Sequence, residues 1–183
     1  KSLSASSEVS IGFNEDFHAT LFYTFDNQQS RERTRQIIDT TRRGTPDSDW
    51  TNELADQTSS IGFGLRHKGL LGRRLDINVD GIVVRSRTPI STSVGNAVSP
   101  GQNPAGALPD LLARSENLNL TARYTLDRQT TLRAAYSYRH LNSADWALQQ
   151  VALASMAGMM GSNERAPRYT VHGVAVSFIR TFR

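Results

Sequence analysis

The chain contains no cysteine, which excludes a disulfide-stapled scaffold, a thiolate zinc site and any CxxCH attachment of haem. No stretch approaches ~18 consecutive apolar residues, so no transmembrane helix is encoded. A membrane-spanning β-barrel stays open, because its strands are only half apolar. Lysine is almost missing, and the net charge of +4 comes from arginines spread along the chain rather than gathered in a stripe. Nucleic-acid binding needs a continuous basic face, so no nucleic-acid partner is expected. The opening residues KSLSASSEVS lack the basic-then-apolar run of a signal peptide, and the chain reads as mature or truncated. What is present is 183 residues, 38% hydrophobic and 21% charged. That is too apolar for disorder and fits one domain or a piece of a larger one.

The dominant positive signal is period-two alternation. Phe17, Ala19, Leu21, Tyr23 and Phe25 alternate with His18, Thr20, Phe22, Thr24 and Asp26. Ile61, Phe63 and Leu65 alternate with Ser60, Gly62, Gly64 and Arg66, and Leu75 to Val83 with Arg74, Asp76, Asn78 and Asp80. Leu118 to Tyr124 stand against Asn119, Thr121 and Arg123, and Leu132 to Tyr138 against Arg133, Ala135, Ser137 and Arg139. A weaker run holds Val9, Ile11 and Phe13. The last segment is apolar on both phases; Val174, Val176, Phe178 and Phe182 are taken as its outer set. Tyr169 and Val171 would join that face only through a bulge near Gly173.

Short and long connections alternate along the chain. Asn14–Asp16, Lys68–Gly72 and Asp127–Gln129 are tight; Asn27–Asp56, Arg87–Glu116 and Asn142–Pro167 are long and polar. An outer-membrane barrel has this asymmetry, with short periplasmic turns and long extracellular loops. Phe13, Phe17 and Tyr124 lie near the tight turns, and Tyr23, Phe25, Tyr138 and Tyr169 near the long loops, as two interfacial belts would require. The expected fold is an all-β antiparallel transmembrane barrel. About seven strands are counted where bacterial barrels use an even number, so either one more strand is hidden or, as the favoured expectation, residues 1–183 are the C-terminal part of one larger barrel domain.

Several stretches, in order, resemble the MtrB/PioB family of outer-membrane barrels. They are DFHATLFYTFDNQQS, Trp50 ahead of ADQTSSIGFGL, LPDLLARSENLNLTARYTL, RAAYSYRH, DWAL in the following loop and RYTVHGVAVSFIRTF. The terminal Phe182 fits a barrel's closing strand, although Arg180 and Arg183 depart from the usual pattern. The resemblance implies a large barrel in the bacterial outer membrane that sheathes a periplasmic multihaem c-type cytochrome. Electrons would then cross to an extracellular cytochrome or mineral, or inward from an external donor. Haem would belong to the partner, and this chain would hold no cofactor and catalyse nothing.

Candidate residues follow from the strand phases. Arg66, Arg74, Arg123, Arg133 and Arg139, against Glu8, Asp76 and Asp80, would line the lumen. The arginines there either face haem propionates and acidic side chains of a plug, or simply balance the acids as in any porin. His18, His67, His140 and His172 form no metal motif, and their phases scatter them over different strands and faces. His140, Asn142 and Ser143 carry hydrolase-like groups too close in sequence to converge on one centre. Asn142 or Ser143 reads instead as the cap of a helix from Ala144 to about Gly158. Trp146, Met156 and Met159 in that loop would touch an extracellular partner, or pack the loop on the barrel. The segment Ser30–Trp50 could be partly helical. A general porin or substrate-specific channel with an open lumen is the rival reading.

Overall fold

The computed structural model describes residues 1–35, 49–94, 109–145 and 165–182. It is an antiparallel sheet of strands β1 (Ser2–Gly12), β2 (Phe17–Arg35), β3 (Asp49–Gly69), β4 (Leu75–Thr88), β5 (Ile90–Val94), β6 (Leu111–Thr125), β7 (Thr130–Ala144) and β8 (Arg168–Arg180). Sequence neighbours pair in turn, in the order β1-β2-β3-β4-β6-β7-β8, with β5 also on β3. Among the described residues β1 pairs only with β2 and β8 only with β7, so the sheet is open. The strand β5 continues β4: Gln57 pairs with Arg87 and Leu54 with Ile90, a register that Pro89 interrupts without shifting. Seven continuous arms therefore cross the sheet.

The strands outrun the alternation that announces them. The loop expected from Asn27 to Asp56 is mostly strand, since β2 runs to Arg35 and β3 starts at Asp49. The expected Arg87–Glu116 loop likewise contains β5 and the start of β6. Ladder hydrogen bonds join backbone to backbone, so a hairpin continues after both faces turn polar. The same effect overturns the helix cap. Asn142 and Ser143 lie in β7, which ends at Ala144, and Ser143 Oγ donates to the Pro167 carbonyl at 2.8 Å. The rest of the expected helix lies outside the described residues. No bulge is needed at Gly173, because β8 pairs with β7 without a break from Arg168 to Arg180. Tyr169 and Val171 therefore stay on the face opposite Val174.

Three tight turns close the other end of the sheet. In the first, Asn14 Oδ1 accepts from the backbone N–H of Asp16 at 2.9 Å and of Phe17 at 2.7 Å. The second occupies Leu70–Arg73, slightly beyond its expected place, with Gly69, Leu71, Gly72 and Arg73 all at positive φ. In the third, the Asp127 carboxylate accepts from the Gln129 N–H at 2.7 Å. That bond, and after it one to the Thr130 side chain, holds the Asp127 carboxyl below its ordinary pKa. A depressed carboxyl stabilises the fold above the unfolded value of about 3.9, and the contribution is lost as pH falls through the lower folded value. Hydrogen-exchange protection of the Gln129 amide should therefore be flat above about pH 4 and fall below it. The Asp127→Asn protein should show no such fall.

Neither face carries a core. Among the described residues Ala166 is the single buried apolar one, whereas Val174 is 77% exposed and Phe178 64%. An apolar face of this extent needs an apolar solvent or a cover.

Candidate functional site

Directly opposed residues of an antiparallel pair share a face, so the register sorts the side chains. One face is apolar: Val9, Leu21, Phe63, Leu65, Val79, Leu120, Ala134 and Val176 lie on it. The other is polar, and its charges gather at the tight-turn end.

There Asp76 is opposite Arg123, and Arg123 is directly opposite Arg133. One rung further from the turns, His18 is opposite Arg66 and Arg66 opposite Asn78. Arg66, Lys68, Asp76, Asn78, Thr121 and Arg123 surround a hollow of about 160 Å³. A second hollow of about 440 Å³ adjoins it through Arg66, Lys68 and Asn78 and reaches His18 and Thr20. Asp76 accepts from the Gly69 N–H at 3.0 Å, which fixes the carboxylate toward the turn. Among the described residues Arg66, Arg123 and Arg133 form no ion pair. Two guanidiniums facing each other across a ladder repel, so this end has a surplus of donors and positive charge.

The other expected residues are elsewhere. Asp80 is satisfied locally, accepting from Asn119 Nδ2 at 2.8 Å and Asn78 Nδ2 at 3.4 Å. Arg139 lies opposite Asn117 and Glu8 opposite Phe22, both well up the strands from the cluster. Arg74, expected on the strand face, belongs to the turn: its φ of −102° and ψ of −18° are helical, and its N–H donates to the Leu70 carbonyl. Left-handed residues at 69–73 lengthen that turn and delay the strand to Leu75. Lys68, assigned from sequence to the turn, instead joins the cluster. Trp146, Met156 and Met159 lie outside the described residues.

The histidines occupy four strands, with His18 on the polar face and His67, His140 and His172 on the apolar one. His172 Nδ1 is 2.8 Å from the Tyr136 hydroxyl, and His140 Nδ1 is 2.8 Å from Thr170 Oγ1. Among the described residues no group of acids and histidines could hold a metal. His140 and Asn142 share the apolar face while Ser143 points to the other, so these three do not form one centre. Aromatics mark both ends of the apolar band. Phe13 stacks on Phe17 at 5.1 Å and Phe17 meets His67 at 5.6 Å near the turns, and Tyr138 meets His172 at 5.3 Å toward the loops.

The band also runs obliquely. Its loop-side edge is Phe25 on β2, one rung lower at Ile61 and Val83 on β3 and β4, and two rungs lower at Leu118 and Tyr138 on β6 and β7. Two rungs over four strand spacings is about 13 Å over about 19 Å, a tilt of about 35°. Strands of outer-membrane barrels incline by about this angle, roughly 35–45°, so that a level membrane cuts their hydrogen-bonded rows on the slant. No curated protein matches the chain. A family profile described as an outer membrane beta-barrel porin, MtrB/PioB, matches residues 1–182. An open, coreless, all-antiparallel sheet with one apolar face, an oblique band and two aromatic edges agrees with that match. The chain belongs to the MtrB/PioB family of outer-membrane β-barrels.

Proposed function

We propose that the chain is the C-terminal part of a barrel that sheathes a periplasmic multihaem c-type cytochrome, so that electrons cross the outer membrane. In this reading the apolar face meets lipid, the polar face lines the lumen and the tight turns lie in the periplasm. The observation that carries it is Arg123 facing Arg133 with Arg66 and Lys68 beside them and Asp76 the nearest acid. Like charges held in register cost free energy unless an anion is supplied from outside. Haem propionates and acidic side chains are such anions, and planar guanidiniums bind carboxylates in a fork. The cluster lies at the end through which a periplasmic partner would enter.

The chain's part is to hold and insulate. It has no cysteine for thioether attachment, so the electron path belongs to the partner's haems. The long-loop end would meet an extracellular cytochrome or mineral. A general porin with an open lumen is the second reading; the self-satisfied Asp80, Asn78 and Asn119 patch is what an ordinary water-filled lining contains. The intact barrel, purified from outer membranes in mild detergent, should carry a stoichiometric c-type haem absorbance. A colourless barrel that conducts ions in a planar bilayer would replace the sheath with the porin.

A further inference from the structure

A separate cluster of arginines lies on the apolar face, just beyond the loop-side edge of the band. Arg85 is the first residue past the band on β4, and it stands directly opposite Arg114 of β6. Arg87 follows one rung above. With Gln57, Ser59, Asn142 and the apolar Phe25 and Leu112 these three arginines line a hollow of about 470 Å³. The hollow is open on the face that carries Ile61 and Val83 one rung below it, while on β6 Glu116 stands between Arg114 and Leu118.

The charges there are only partly balanced. Arg114 Nη2 is 2.6 Å from Glu116, and Arg87 Nε pairs with Asp110. Arg85 has no ion pair among the described residues. Each guanidinium has five N–H donors, so even the paired ones keep several free. A basic, hydrogen-bonding hollow set directly above an apolar strand surface matches a molecule with an anionic head and acyl tails. A soluble anion would gain nothing from the apolar half. A protein partner would have to bury the lipid-facing band, which the bilayer itself covers.

We propose that Arg85, Arg87 and Arg114 form a binding site for the phosphorylated headgroup of a lipid in the outer leaflet, whose acyl chains lie along Ile61 and Val83. The site rests on the reading that the apolar face meets lipid and the long loops face outward, and not on the cytochrome. Phosphate oxygens bridging Arg85 and Arg114 convert the like-charge contact into charge-assisted hydrogen bonds.

The test is native mass spectrometry of the full barrel in detergent, titrated with diphosphoryl lipid A and separately with inorganic phosphate. The wild type should bind the lipid, and the Arg85→Gln/Arg114→Gln protein should bind it at least about tenfold more weakly. Inorganic phosphate should bind far more weakly than the lipid to both. Equal lipid affinity in wild type and variant would overturn the site, and phosphate binding as tightly as lipid would overturn the lipid as its occupant. The Arg123→Gln/Arg133→Gln protein should keep lipid binding, and the Arg85→Gln/Arg114→Gln protein should keep its haem absorbance. Failure of the sheath and failure of the lipid site are thereby read separately.

Discussion

Replacing Arg123 and Arg133 together by glutamine should release the cytochrome proposed to fill the barrel while leaving the barrel at least as stable as before. The two guanidiniums face each other on β6 and β7 and lack an ion pair among the described residues, with Asp76 opposite Arg123 turned toward the Gly69 amide. Neutralising them removes a repulsion from the empty barrel. In the proposed sheath it also removes two charge-assisted hydrogen bonds to a carboxylate of the partner, each worth about 1.5–3 kcal/mol. At the low end that is about 3 kcal/mol, or about a hundredfold in affinity. Haem absorbance co-eluting with the barrel measures the first effect, and urea unfolding of the barrel in detergent the second. If the arginines are only a polar lining, haem retention stays at the wild-type level. If they hold the lumen together instead, stability falls with retention.

Much of this was legible in the sequence, and the failures have identifiable physical causes. The alternation of Leu118 to Tyr124 with Asn119, Thr121 and Arg123 gives the faces of β6 directly, since a strand has no other way to separate them. Alternation reports burial against lipid, however, and not hydrogen bonding. Where β2 continues as Gln28–Arg35 it is polar on both sides, and in Asp49–Asp56 of β3 the few apolar residues, Trp50, Leu54 and Ala55, do not alternate, so no period-two pattern marks either segment. The turn expected at Lys68–Gly72 is there, but its extension to Arg73 escaped, because Leu71 and Arg73 adopt left-handed backbone that their side chains do not advertise. The cluster at the tight-turn end was half visible. Arg66, Asp76, Arg123 and Arg133 could be placed on one face, but only pairing shows that Arg123 meets Arg133 while Arg139 stands apart. The lipid-side arginines are a matter of register alone: Arg85 and Arg114 are far apart in sequence and opposed in the sheet.

Register also governs the largest stability effect expected, at Gly62. Phe22 is the one aromatic in the polar phase of β2, and its ring lies across Gly62 of β3, its direct partner. A Cβ at position 62 would sit 2.3 Å from Phe22 Cζ and 2.8 Å from the carbonyl oxygen of Gly81. The ring can swing aside, but the carbonyl belongs to the neighbouring strand β4 and moves only if the ladder opens. Broken ladder bonds are costly inside a bilayer, where no water replaces them. Gly62→Ala should therefore lose about 3 kcal/mol, the upper end of ordinary overpacking. At Gly81→Ala the nearest atoms all belong to the Phe63 ring, at 2.6 Å and beyond, and the protein should lose about 1 kcal/mol. Gly64→Ala finds Thr20 Cβ at an ordinary 3.9 Å and should gain up to about 1 kcal/mol by stiffening the unfolded chain. Urea unfolding of the barrel in detergent, alongside the fraction folded by heat-modifiable gel migration, ranks the three. Adding Phe22→Ala to Gly62→Ala separates the two clashes, since it removes the ring and leaves the carbonyl. Recovery to wild-type stability in that double variant would mean the strands are not held as close as the register of β3 and β4 implies.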